Sequence, residues 1–178
     1  MTYFFELQKA MELLAAQPNV VFMGQGVRYQ STAMSATFDT VPERLRLELP
    51  VFEDAQMGMA TGMALAGMLP VCVFPRWNFL ICAGNQLINH LDRLPLYSGY
   101  KPKVIIRTAI PSTEPFYPGP QHDDDFTGPF AKMARTIKFV RLVTADHIVP
   151  SYTAAIESDT STVLVEYSAD YRKERVNE

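Results

Sequence analysis

Residues 50–79 read PVFEDAQMGMATGMALAGMLPVCVFPRWNF, and the fold hangs on this stretch. It predicts, in order, the end of a strand, an acidic turn, a helix of small residues, a second strand and an aromatic turn. Glu53 stands at the entry to the helix, where a carboxylate faces the positive end of the aligned peptide dipoles. Gly58, Gly62 and Ala66 recur four residues apart, which places them on one helical face. Two glycines in a helix cost roughly 1 kcal/mol each relative to alanine. A solvent-facing helix gains nothing in return, so the spacing predicts a buried helix with another helix packed closely on its glycine face.

Working outward, residues 2–16 carry apolar side chains at helical spacing and end at Pro18, which predicts a helix. Asn19-Val-Val-Phe-Met23 reads as a short buried strand running into the turn Gly24-Gln25-Gly26. A Gly-x-Gly after a strand hints at a dinucleotide fold, but the third glycine of that fingerprint would fall at Tyr29, so the motif fails. Residues 28–46 are polar and unperiodic and read as a loop with at most one short helix. Residues 44–51 rebuild a strand that delivers Glu53. Beyond the opening stretch, strands are predicted over 71–74, 103–108, 138–142 and 163–167. Helices are predicted over 80–91 and 146–157, the latter despite Pro150, with a short one starting near 130–133. Residues 111–120 form a proline-rich loop, and the tail YRKERVNE is charged and solvated. Apolar strands alternating with helices predict an α/β, doubly wound, mainly parallel sheet with helices on both faces.

Composition excludes several classes. A chain of 178 residues with 48% hydrophobic residues suits one domain with a full core. Its mean hydropathy of −0.01 argues against a membrane-embedded chain, and no apolar run reaches the length that spans a bilayer. The net charge of −3 and the lack of a basic patch argue against nucleic acid. The start MTYFFELQKAM lacks the basic and apolar regions of a signal peptide. Cys72 and Cys82 lie in apolar surroundings without metal-ligand spacing and are read as buried, reduced and inert. A cytoplasmic location follows as the expectation. Met57, Met59, Met63 and Met68 fall at helix-packing positions, so gap-filling in a core or interface explains them better than a metal site.

The ordered set of features resembles a known family. A Glu opening a Gly/Ala/Met-rich helix, then Leu-Pro, an apolar strand and an aromatic turn, is similar to the pyrimidine-binding domain of thiamine diphosphate enzymes. In particular it resembles the beta subunits of the pyruvate and branched-chain 2-oxo acid dehydrogenases. The similarity continues through GNQLINHLDRLPLYSG, the strand VIIRTAIP, the pair Gln121-His122 and, more loosely, VLVEYSADYR. It therefore covers most of the chain. At the turn after the first strand Gln25 and Gly26 depart from the acidic residues usual in that family. Arg76 and Trp77 are also unlike the residues usual in theirs.

The resemblance implies specific roles. Glu53 matches the acid that bonds the pyrimidine nitrogen and drives the tautomer change by which the cofactor deprotonates itself. Read alone, Glu53 is better explained as a helix N-terminal acid, and Asp54 serves that purpose equally well. Phe79 matches the aromatic ring that stacks on the pyrimidine, an arrangement that adds about 1 kcal/mol beyond burial; Trp77 and Phe74 are rivals for that space. Val51 falls where the family uses an aliphatic residue near the ring. His122 matches a histidine facing the substrate, able to donate to a developing oxyanion or shuttle a proton. It reads equally as a solvated loop histidine. Asp123, Asp124 and Asp125 could suggest a hard cation, but three consecutive residues rarely converge on one ion.

In the resembled family Mg²⁺ bridges the diphosphate to a Gly-Asp-Gly motif in a separate domain, and no Gly-Asp-Gly occurs in this sequence. The implied picture is a single pyrimidine-binding domain over 1–178, with neither a diphosphate-binding nor a C-terminal domain in the chain. A partner alpha-type subunit would carry the Gly-Asp-Gly motif and hold the Mg²⁺, in a heterotetramer or larger assembly. The implied reaction is decarboxylation of a 2-oxo acid or transfer of its acyl fragment. A split transketolase-like ketol transferase is the alternative, and a non-catalytic assembly subunit is an alternative of another class.

Overall fold

Six short strands form one sheet in which every neighbouring pair is parallel, in the order β2-β1-β3-β4-β6-β5. The strands are β1 (Val20–Gly24), β2 (Arg46–Glu48), β3 (Leu69–Val73), β4 (Ile105–Ile110), β5 (Lys138–Arg141) and β6 (Thr162–Tyr167). The structure is a computed structural model describing residues 2–30, 32–113 and 117–171. Ser31, part of the proline-rich loop (114–116) and the charged tail (172–178) lie outside the described residues. Parallel pairing demands a crossover between successive strands. Beyond β2 these are made by helices α2 (Glu53–Leu65), α3 (Trp77–Leu80), α4 (Leu94–Ser98), α5 (Thr127–Met133) and α6 (Ala145–Glu157), while α1 (Tyr3–Ala15) precedes β1.

Alternation along the strands divides the core between two faces. Val71, Val73, Ile105, Ala109 and Leu164 pack with α1 and α6, while Cys72, Ile106, Val163 and Val165 pack with α2 and the aromatic segment after β3. The doubly wound, parallel reading is therefore correct. The chain leaves β1 for β2 on one side and returns to β3 on the other. In open sheets of this kind the crevice outside the strand ends at such a reversal is where ligands bind.

One buried ion pair sits inside the first face. Arg107 Nε and Nη2 donate to the two oxygens of Glu166 at 2.6 and 3.0 Å, with both side chains fully buried. Tyr152 and Tyr171 donate their hydroxyls to the same carboxylate. Burial alone would lower the pKa of Arg107, but Glu166 holds it above its ordinary value. Burial first, and then Glu166, pushes the Tyr171 hydroxyl well up.

Several expectations shift. The segment 28–46 holds two 3₁₀ turns, Ser35–Phe38 and Glu43–Leu45, rather than at most one short helix. The predicted helix 80–91 divides into the end of α3, a 3₁₀ turn (Ile81–Ala83) and a π-helical turn (Gln86–Leu91). Cys82 is exposed rather than buried; Cys72 is buried, and burial pushes its thiol up to about 12. The helix predicted despite Pro150 forms, with Pro150 one turn inside α6. The glycine helix buries Glu53, Gln56, Met57, Ala60 and Thr61. Gly58 and Gly62 lie off that face: Gly58 approaches only the Gln86 side chain, and a Cβ on Gly62 would meet nothing within 4 Å. No helix covers Gly62 among the described residues, contrary to the packing expected from the spacing.

Candidate functional site

The C-terminal ends of β1, β2 and β3 bring the predicted residues to one edge of the sheet. Gln25 follows β1, Glu53 begins α2 just past β2, and Phe79 lies in the turn-and-helix segment after β3. His122 comes from the loop after β4. The α2 start has no side-chain cap, and its first turn carries Glu53 and Asp54. Both acids therefore face the helix's positive end, as the structural reading of Glu53 requires.

Glu53 also has a partner outside its helix. Its residue is 8% exposed, and Gln25 Nε2 donates to its Oε1 at 3.0 Å. Its Oε2 has no hydrogen bond among the described residues and is not one of the buried unpartnered atoms, so solvent reaches it. One turn further on, Gln56 donates from Nε2 to the Val73 carbonyl at 2.8 Å, and its Oε1 is buried without a partner. That contact ties the start of α2 to the end of β3. Asp54 turns the other way and accepts from Gln86 Nε2 at 3.4 Å. Its partner opens the π-helical turn, a feature that recurs beside functional sites.

The loop after β1 is held as firmly. The amides of Gly26, Val27 and Arg28 all donate to the Glu48 carboxylate, at 2.7, 2.9 and 2.8 Å. Gly24 has φ +141, and a Cβ there would sit 2.3 Å from the Val73 carbonyl oxygen, so only glycine fits.

The aromatic rivalry resolves by burial. Phe74 and Trp77 are fully buried. Trp77 packs against Phe130 and Phe139 and donates from Nε1 to Thr127 Oγ1 at 3.0 Å. Phe79 is half-buried, and its ring centroid lies 5.6 Å from that of His122. His122 Nδ1 is buried and unpartnered, as is Asn78 Oδ1 beside it in sequence. Asn78 Nδ2 donates to Asp124 Oδ2 at 3.2 Å, which fixes which end of the amide points away.

Val51 is 74% exposed and Phe52 63% exposed, so both lie on the surface next to Glu53 rather than in a closed pocket. The three aspartates diverge: Asp123 accepts from Tyr117, Asp124 from Asn78, and Asp125 from Thr127 and Arg141. Among the described residues no group of three or more His, Cys, Asp or Glu could hold a metal ion. Gln25, Glu48 and Asn78 were missed by sequence reasoning. The only signal was that Gln25 departs from the resembled pattern.

No protein-family model matches the chain. Among solved structures, a split gene transketolase in an inactive beta4 tetramer superposes with a TM-score of 0.73 at 15% identity, covering 94% of this chain and 52% of that one. Transketolase from Leishmania mexicana superposes with a TM-score of 0.66 at 17% identity, over 93% and 25%. The fold is thus that of the transketolase-like thiamine diphosphate proteins. Curated relatives narrow this further. The mitochondrial pyruvate dehydrogenase E1 component subunit beta of Chaetomium thermophilum is 26% identical over 163 residues, 90% of this chain and 42% of the relative. That of Caenorhabditis elegans is 29% identical over 120 residues, 67% and 34%. The chloroplastic beta-2 subunit of Arabidopsis thaliana is 26% identical over 178 residues, 97% and 44%. The chain is a relative of the pyruvate dehydrogenase E1 beta subunits and spans less than half of their length.

Proposed function

We propose that this chain is the pyrimidine-binding, beta-type subunit of a two-chain thiamine diphosphate-dependent enzyme that acts on a 2-oxo acid by decarboxylation or acyl transfer. The observation that carries this reading is Glu53: a carboxylate almost removed from water, with Oε1 taken by Gln25 and Oε2 open. Kinship with E1 beta subunits supports it.

The residues present fit the cofactor's pyrimidine end. An open carboxylate oxygen suits a protonated ring nitrogen, a half-buried Phe79 offers a stacking face, and His122 Nδ1 is a buried polar atom awaiting a partner. When bound, thiamine diphosphate supplies an electron sink for breaking or making a bond beside a carbonyl. Glu53 would hold and share the proton at the pyrimidine nitrogen, in an environment where little water competes. Phe79 would fix the ring plane, Val51 would bound it at the rim, and His122 would donate to charge developing on the substrate oxygen. The diphosphate and its Mg²⁺ would be held by a partner alpha-type chain carrying Gly-Asp-Gly, in a heterotetramer or larger assembly. The exposed Val51 and Phe52 beside Glu53 are consistent with a site closed by a second chain. The two unpaired cysteines suit a reducing compartment; the cytoplasm is the compartment proposed, while some relatives are named as mitochondrial or chloroplastic subunits. No helix among the described residues is long and apolar enough to cross a membrane.

The likeness to a split gene transketolase favours a second reading, transfer of a ketol unit. The test is co-purification with the Gly-Asp-Gly partner, followed by a screen of 2-oxo acids and ketose phosphates and by hydrogen–deuterium exchange at the reactive thiazolium carbon. Glu53→Gln should slow that exchange by orders of magnitude while the chain stays folded, because a helix-start acid contributes only about 0.3–1 kcal/mol. Equal exchange in parent and variant removes Glu53 from the mechanism.

A further inference from the structure

The carboxylate of Glu53 is held from one side only. Gln25 Nε2 donates to Oε1 at 3.0 Å, and no other described group bonds either oxygen. An ionised carboxylate only accepts, so the NH₂ end of the Gln25 amide is the end that faces it. The terminal torsion of a glutamate is broad, and a carboxylate without such a partner would turn through a range of planes.

Gln25 itself sits on fixed backbone. Before it, Gly24 is pressed against the Val73 carbonyl, and its own carbonyl accepts from Leu49 N at 2.8 Å. After it, three consecutive amides converge on Glu48 at 2.7–2.9 Å. Charge-assisted bonds of this length are strong, and Glu48 is itself anchored on β2, opposite Gly24 in the β1–β2 register. A rigid line thus runs from Glu48 through the 26–28 loop and Gln25 to Glu53.

We propose that Gln25 is a positioning residue for Glu53: it fixes the plane of the carboxylate and occupies Oε1, so that Oε2 alone is presented to the group the site takes. This rests on the reading of Glu53 as the acid that bonds the pyrimidine nitrogen. Gln25 touches neither cofactor nor substrate in this role.

The test begins on the isolated chain, labelled with ¹³C at the glutamate side-chain carboxyl, with Glu53→Gln assigning the Glu53 resonance. Gln25→Met keeps the length of the side chain and removes the donor. It should move the Glu53 resonance and leave the other glutamate resonances and the far-ultraviolet spectrum in place. In the complex with the partner chain, Mg²⁺ and thiamine diphosphate, the same variant should slow exchange at the thiazolium carbon by about 10²-fold, as misplacement of a reacting group does, with little change in cofactor affinity. Gln25→Ala removes the whole side chain, donor included, and covers the case in which methionine is not accommodated: slowed exchange supports the role, parental exchange overturns it. An unmoved Glu53 resonance with parental exchange in Gln25→Met overturns the positioning role while the Glu53→Gln result stands. Parental exchange in Glu53→Gln overturns the functional reading and this role with it, even where the resonance moves.

Discussion

Replacing Gly24 with alanine should damage the fold at the point that carries Gln25. The added Cβ would sit 2.3 Å from the Val73 carbonyl oxygen and 2.9 Å from Gln56 Nε2, and contacts under 3.0 Å force something to shift. The Gln56 amide is the end of a flexible side chain and can give way; the Val73 oxygen is strand backbone and accepts from Gln56 at 2.8 Å. Relief therefore requires β1 and β3 to part by several tenths of an ångström where Gly24 pairs with Val73. Overpacking of this kind costs about 1–3 kcal/mol, and a φ of +141 adds strain of about 1–3 kcal/mol for any side chain. A total of roughly 2–6 kcal/mol is expected, which for a chain of this size lowers the melting temperature by roughly 4–24 °C. Gly62→Ala is the internal control. Nothing lies within 4 Å of its added Cβ, and exchanging a helical glycine for alanine should stabilise the chain by about 1 kcal/mol. Thermal and urea denaturation of both variants, followed by circular dichroism, measure the pair. A Gly24→Ala chain that melts with the parent, or a Gly62→Ala chain that is the less stable of the two, would refute the close approach of β1 to β3.

Three further outcomes follow from other contacts. Glu166→Gln leaves the buried Arg107 cation without its counter-charge and should cost about 3–5 kcal/mol by urea denaturation; the double variant Arg107→Met, Glu166→Leu should cost less than Glu166→Gln alone, and a larger cost would show that the pair itself stabilises the fold. Asp92 is fully buried and accepts from the amides of Arg135, Thr136 and Ile137; burial alone would raise its pKa, but those bonds hold it below the ordinary carboxylate value. Its contribution is therefore present above the unfolded pKa of about 3.9 and lost as pH falls through the lower folded value, so Asp92→Asn should flatten the acid limb of stability against pH, and an unchanged limb would remove Asp92 as its source. Gly62→Leu should raise the melting temperature of the isolated chain by roughly 2–4 °C while weakening association with the partner chain in sedimentation, and parental association would show that this face is no interface.

What the sequence made legible, and what it hid, divides along physical lines. Strand and helix order was legible because apolar runs and small-residue periodicity are local signals; the parallel doubly wound sheet follows from their alternation. Glu53, Phe79 and His122 were legible only through resemblance, since each has an ordinary structural explanation when read alone. The π-helical turn at Gln86–Leu91 was hidden because its apolar residues still recur at intervals that fit an α-helix. Arg107 and Glu166 were hidden because each is one charge inside a strand that otherwise reads as buried, and their pairing spans 59 positions of sequence.

The glycine helix shows the same division most sharply. Its period was read correctly, but a period says which residues share a face, not which face the sheet takes. The sheet took the face of Glu53, Gln56, Met57 and Ala60. That choice is the one that serves the site: Gln56 reaches the Val73 carbonyl only from this face, and Glu53, three residues earlier, is thereby brought within 3.0 Å of Gln25. Had the glycines faced the sheet, the acid would have pointed away from the reversal between β1 and β3. The orientation of α2 about its own axis, set by Gln56 and Met57 rather than by the glycines, is what turns a helix-start acid into a candidate catalytic group.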